Sequence, residues 1–85
     1  MAGAIYSEAQ NAVARAFTEA RKDAQMKQTE LADAIGKHQS FISDVERGQR
    51  RIDIVEAFVI AKALGYEPTD FYQKLIRDVP DTTKL

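Results

Sequence analysis

The sequence predicts an all-α fold of five short helices. Three observations carry this expectation. Apolar residues recur at spacings of three and four along most of the chain, and no stretch alternates with the period of two that a strand requires. Glycine and proline, four and two in number, are scarce. Alanine, the best helix former, is abundant.

The first helix should begin at Ser7. SEAQ places Ser at the N-cap and Gln three residues on, the spacing of a capping box. Ala9, Val13, Phe17, Ala20 and Ala24 then mark one buried face, opposite Arg15, Glu19, Arg21, Lys22 and Asp23. The second helix, QTELADAIG, sets Leu31, Ala32 and Ile35 on one side and ends at Gly36, which can adopt positive φ just past a helix. The third, QSFISDVERG, turns Ile42 and Val45 inward and stops at Gly48. Two short helices around so tight a turn must cross steeply, as in a helix-turn-helix.

The fourth helix should start at Asp53, where DIVE repeats the spacing of cap and glutamate. Ile54, Phe58, Ala61 and Leu64 are its expected core face, and Gly65 its end. The fifth opens with Pro68, suited to a first helical turn, and carries Phe71, Leu75 and Ile76 as its apolar stripe. The tail DVPDTTKL breaks at Pro80 and should be frayed.

A chain of 85 residues has room for one domain. The expected organisation is a single domain over 1–85, with a helix-turn-helix at 28–48, a fifth helix at 68–78 and a tail at 79–85. Its core is modest, so a partner subunit would add stability. Without cysteine there is neither a disulfide nor a thiolate metal site, and the lone His38 has no second ligand at metal spacing. MAGAIYSEAQ lacks the basic and apolar regions of a secretory signal, and no apolar run reaches the ~20 residues of a membrane span. A cytoplasmic protein with no membrane partner, metal or cofactor is expected. No nucleophile with a base, phosphate loop or convergent carboxylate pair points to an enzyme.

The net charge of −1 argues against wholesale coating of nucleic acid, but distribution matters more than the sum. Residues 37–51, KHQSFISDVERGQRR, hold four Lys and Arg against two acids, a net of +2, so the remainder carries −3. Within the helix pair, Ala32 is small enough for a close crossing, and Ile35, Ile42 and Val45 seal the wedge. The polar side chains at 38, 39, 40, 43 and 44 then face away from it.

QTELADAIG, QSFISDVERG and IAKALG together resemble the Cro/C1-type (XRE family) helix-turn-helix domain of phage repressors and bacterial regulators. The resemblance covers about residues 10 to 77. It implies a lambda-repressor-like, five-helix DNA-binding domain whose second motif helix enters the major groove. It also implies a transcriptional regulator, expected to be a repressor that excludes polymerase as a dimer on a pseudo-palindromic operator, with half-sites ~34 Å apart.

Carried over residue by residue, the resemblance implies base contacts from His38, Gln39, Ser40, Ser43 and Asp44. Gln39 leads, because an amide pairs bidentately with adenine. Gln28, Lys37, Arg47, Arg50 and Arg51 would contact phosphate, where arginine's fixed fork adds affinity and salt dependence. Arg21 and Glu46 would form a structural ion pair. Lys27 and His38 depart from the family by standing where Ser or Thr usually caps.

The fifth helix, with Phe71, Tyr72, Leu75, Ile76 and Val79, has more apolar residues than one core stripe requires and is the expected homodimer surface. No small-molecule pocket is evident. Two other readings are an antitoxin, disfavoured because only about eight residues follow the last helix, and an adaptor of the same fold that has lost DNA binding. The arginine cluster fits the adaptor poorly.

Overall fold

Capping chemistry sets where the helices begin in the computed structural model, which describes residues 7–85. Residues 1–6, most of the stretch read above as lacking a signal, lie outside the described residues. Five helices follow in order: α1 Glu8–Asp23, α2 Gln28–Ile35, α3 Gln39–Glu46, α4 Ile54–Leu64 and α5 Pro68–Ile76. There is no strand among the described residues.

At α1 the Ser7 hydroxyl accepts the Gln10 N–H at 3.1 Å. The return half of the box is not made, because the buried Gln10 amide instead donates to the Arg50 carbonyl at 3.4 Å. At α4 both halves form: Glu56 N–H donates to Asp53 Oδ1 at 2.7 Å, and Asp53 N–H donates to Glu56 Oε1 at 2.9 Å. Neither Lys27 nor His38 caps its helix with a side chain. Lysine has no acceptor to offer, so α2 keeps only the half in which the Glu30 carboxylate accepts Lys27 N–H at 2.7 Å.

The helix ends use left-handed residues. Gly36, with φ of 77°, lets Lys37 N–H reach the Ala32 carbonyl at 2.9 Å, which closes α2 in a Schellman turn. The same closure after α1 falls on Gln25, at φ of 59°, with Met26 N–H donating to the Arg21 carbonyl at 3.2 Å. A side chain there strains the backbone, while glycine relieves the strain and gives part of the gain back as unfolded-state entropy. Gln25→Gly should therefore raise stability by roughly 0.5–1 kcal/mol in a urea titration. A loss of stability would contradict this account of the turn.

The helices enclose one core. α2 packs on α3 and α4, α1 bridges α3 and α5, and α4 lies on α5. Phe17, Leu31, Ile42, Val45, Ile60 and Phe71 are the large side chains buried outright. On α1 the deep positions are Ala12, Ala14, Ala16, Phe17 and Ala20, with Ala9, Val13 and Ala24 only half-buried at the edge. Ile35 is likewise half-buried.

The expected core face of α4 is corrected. Ile54 is 87% exposed and Phe58 54%, while Ile60, Ala61 and Leu64 turn inward with Ala57 beside them. The segment IVEAFVIAKAL is apolar on nearly every side, so periodicity does not select which face packs. On α5 only Phe71 and Leu75 are core, and Ile76 stands exposed. The tail keeps one turn, in which Thr83 N–H donates to the Pro80 carbonyl at 3.0 Å.

Candidate nucleic-acid interface

Helix α3 is held from behind and open in front. Ile42 and Val45 are fully buried, and Phe41 nearly so. On the outer side His38, Gln39 and Ser40 are exposed, and Ser43 and Asp44 are half-buried. The small Ala32, 1% exposed, lies in the α2 face that packs closely against α3.

A chain of four polar side chains ties this helix to the rest of the fold. Arg21 grips Glu46 with both fork nitrogens, Nε to Oε2 at 2.6 Å and Nη2 to Oε1 at 3.0 Å, and its Nη1 donates to the Met26 carbonyl at 2.8 Å. Gln28 Nε2 donates to Glu46 Oε1 at 2.9 Å, and Gln39 Nε2 donates to Gln28 Oε1 at 2.6 Å. A carboxylate only accepts, so Gln28 must turn its NH₂ toward Glu46. That leaves Gln28 Oε1 to meet the NH₂ of Gln39. The polarity of the chain is thus fixed from its buried end, and Gln39 retains a free carbonyl oxygen and one free N–H on the exposed side. Hydrogen bonding to Glu46 raises the Arg21 guanidinium above its ordinary value, against the opposing effect of burial.

The cations are held in different ways. Arg47 Nη2 pairs with Asp44 Oδ1 one turn back and also donates to Gln49 Oε1 at 3.3 Å. Arg50 forms a two-pronged pair with Glu56, both distances 2.9 Å, and lies over the Phe41 ring with its central carbon 4.5 Å from the centroid. Lys37 sits over the same ring, Nζ at 5.2 Å. Arg51 is exposed.

A helix-turn-helix family model matches residues 18–71, from the middle of α1 into α5. The chain belongs to the Cro/C1-type helix-turn-helix family of DNA-binding transcription regulators. The control protein C.BamHI of Bacillus amyloliquefaciens is 42% identical over 45 residues, which is 53% of this chain and 56% of that protein. The match therefore spans little more than half the length of that relative. An XRE-family-like protein from Pseudomonas syringae superposes with a TM-score of 0.71 at 34% identity, covering 84% of this chain and 87% of its own. The restriction-modification controller protein C.Esp1396I, solved as a tetramer with its natural 35-base-pair operator, gives a TM-score of 0.74 at 26% identity over 86% of this chain and 96% of its own.

In this member of the helix-turn-helix family, the residues read as a dimer surface divide into two groups. Phe71 and Leu75 are 0% and 6% exposed, so they serve the core and offer nothing to a partner. Tyr72 and Ile76 are exposed and Val79 is half-buried. Sequence reasoning missed their neighbours, since Ile54, Val55, Phe58 and Val59 on α4 are also exposed. Ile54 and Ala57 share an open apolar groove with Tyr72, Ile76 and Val79. The signal was present in IVEAFV, which has five apolar residues in six, more than one stripe needs. Among the described residues no group of side chains has metal-ligand composition, and no helix is long and apolar enough to cross a membrane.

Proposed function

We propose that this chain is a sequence-specific transcriptional regulator of the restriction-modification controller type, acting as a repressor from a homodimer bound across a pseudo-palindromic operator. The observation that carries the reading is the hydrogen-bonded chain Arg21–Glu46–Gln28–Gln39, which holds an amide in fixed orientation on an exposed helix face. The free oxygen and N–H of Gln39 match the N6 and N7 edge of adenine. His38, Ser40, Ser43 and Asp44 flank it as further base contacts. Gln28, Lys37, Arg47 and Arg51 border this face as candidate phosphate contacts, while Arg50, expected from the sequence to join them, is held by Glu56.

The dimer would form through the apolar surface of α4 and outer α5, with Ile54, Val55 and Phe58 beside Tyr72, Ile76 and Val79. Such a contiguous exposed apolar surface on a small domain fits a subunit contact. C.Esp1396I meets its 35-base-pair operator as a tetramer, and for this chain a longer site could likewise take more than one dimer.

Selecting bound duplexes from a random pool tests the reading. A palindromic consensus with half-sites about one helical turn apart is expected, and a pool left unenriched would defeat it. On the selected duplex, Gln39→Ala should cost about 1–3 kcal/mol and relax discrimination at a single base pair of each half-site. A uniform loss across all sequences would instead make Gln39 a phosphate contact.

A further inference from the structure

Glu56 belongs to α4, yet its contacts reach the reading helix in two steps. Its carboxylate binds both terminal nitrogens of Arg50 at 2.9 Å. The Arg50 guanidinium, so held, lies on the Phe41 ring of α3. The backbone of Arg50 is fixed as well, its carbonyl accepting from Gln10 on α1. Lys37, in the turn just before α3, sits over the same ring. Phe41 therefore links the turn that precedes α3 and the loop that follows it, and the loop is pinned to the first turn of α4.

The pair is well ordered by its surroundings. Glu56 is only 17% exposed at its side chain, and it also accepts from Asp53 N–H in the capping box. Arg50 holds the Glu56 carboxyl below its usual range, with the Asp53 N–H and the charge of Lys37 acting in the same direction. The guanidinium donates to the Arg51 carbonyl besides Glu56, so most of its directional bonding is spent within the protein.

From this we infer that Glu56 is a positioning residue for DNA reading: through Arg50 and the Phe41 ring it sets the pose of α3 against α4. The inference rests on the reading of α3 as the DNA-contacting helix. It also gives α4 a second task, since the helix that presents Val55 and Phe58 to a partner would fix the angle of the base-reading side chains. A simple electrostatic view predicts the opposite sign. If Glu56 merely neutralised a phosphate-binding Arg50, removing its charge would tighten binding to every sequence and steepen the salt dependence by about one unit.

The test uses the full chain, a duplex enriched by selection and a scrambled duplex of equal length, each titrated over a range of salt. Glu56→Gln keeps an oxygen for the Asp53 N–H, so the α4 cap and the far-ultraviolet circular dichroism should persist. Its affinity for the selected duplex should fall roughly 10-fold, a typical coupling for groups in one contact network, with little change on the scrambled duplex and an unchanged salt slope. Arg50→Lys retains the charge but loses the fork and the stack, and should behave alike. Phe41→Leu should reproduce the loss if the ring transmits it. Tighter binding of Glu56→Gln to both duplexes, equal weakening on both, or Phe41→Leu binding like wild type would each overturn the inference. A wild-type protein that failed to discriminate the two duplexes would overturn the reading of α3 itself, and the inference with it.

Discussion

Glu46→Ala is expected to destabilise the fold by about 3–5 kcal/mol, as measured by urea unfolding. The variant leaves the Arg21 guanidinium buried, 9% exposed, with the Met26 carbonyl as its one remaining partner. A charge stranded in that way loses the compensation for its desolvation. A domain of this length is expected to hold about 4–13 kcal/mol in total, so the loss is a large share of it. The same substitution frees Gln28, and through it Gln39, so discrimination between duplexes should fall together with stability. A double variant separates the two effects. Arg21→Met with Glu46→Leu replaces the pair by apolar side chains of similar size, which is often neutral or stabilising by about 1–4 kcal/mol relative to the buried pair. Stability should return, but discrimination should not, because Gln28 has lost the acceptor that orients it. A double variant that regains both would show that the polar chain has no part in reading DNA.

Much of this fold is legible in the sequence because its helices begin and end on local chemistry. Asp53 with Glu56, Ser7 with the Gln10 N–H, and Gly36 at positive φ are each determined within about five residues, and the sequence prints them directly. The turn at Gln25 is not legible in this way, since the left-handed residue is a glutamine and only the hydrogen bonds across it reveal the closure. Helix α4 fails for a different reason. A side chain's period locates a buried face only when the opposite face is polar, and Ile54, Val55, Phe58 and Val59 remove that contrast. Which apolar side packs inward is then decided by α2 and α5, and that information is not local.

The site divides along the same line. The outward face of α3 follows from the positions of Ile42 and Val45, and the sequence reading places His38, Gln39 and Ser40 on it as the structure does. The partners of the arginines do not follow from spacing. Three cations within five residues look equivalent in sequence, yet Arg47 turns back to Asp44, Arg50 is taken by Glu56 six residues on, and Arg51 stands exposed. Two of the four cations in residues 37–51, Arg47 and Arg50, are therefore paired with carboxylates, which leaves Lys37 and Arg51 as the ones with no ion pair among the described residues. Asp44, a candidate base contact, has its charge balanced by Arg47 on the next turn.

Phe58→Asp should separate the subunits while leaving each one folded. Phe58 is 54% exposed in the single subunit, so a carboxylate there stays hydrated, and surface substitutions of this kind usually fall within about 0.5 kcal/mol. In the proposed dimer the same carboxylate would enter an apolar contact between copies, where an unpaired charge is strongly disfavoured. Sedimentation should then show a monomer at concentrations where the wild type is dimeric. On a palindromic duplex the affinity should fall by roughly 10²–10⁴, the gain that linking two half-site contacts normally supplies. Affinity for an isolated half-site should be unchanged, because α3 and its polar chain are untouched. Phe71→Ala is the contrasting variant: Phe71 is fully buried, so its truncation should cost about 3–5 kcal/mol of stability instead of acting at the subunit surface. If Phe58→Asp and Ile54→Asp both remained dimeric, the apolar surface of α4 would not be the subunit contact. The half-sites would then be joined through some other face, and the exposure of Ile54, Val55 and Phe58 would require a different partner.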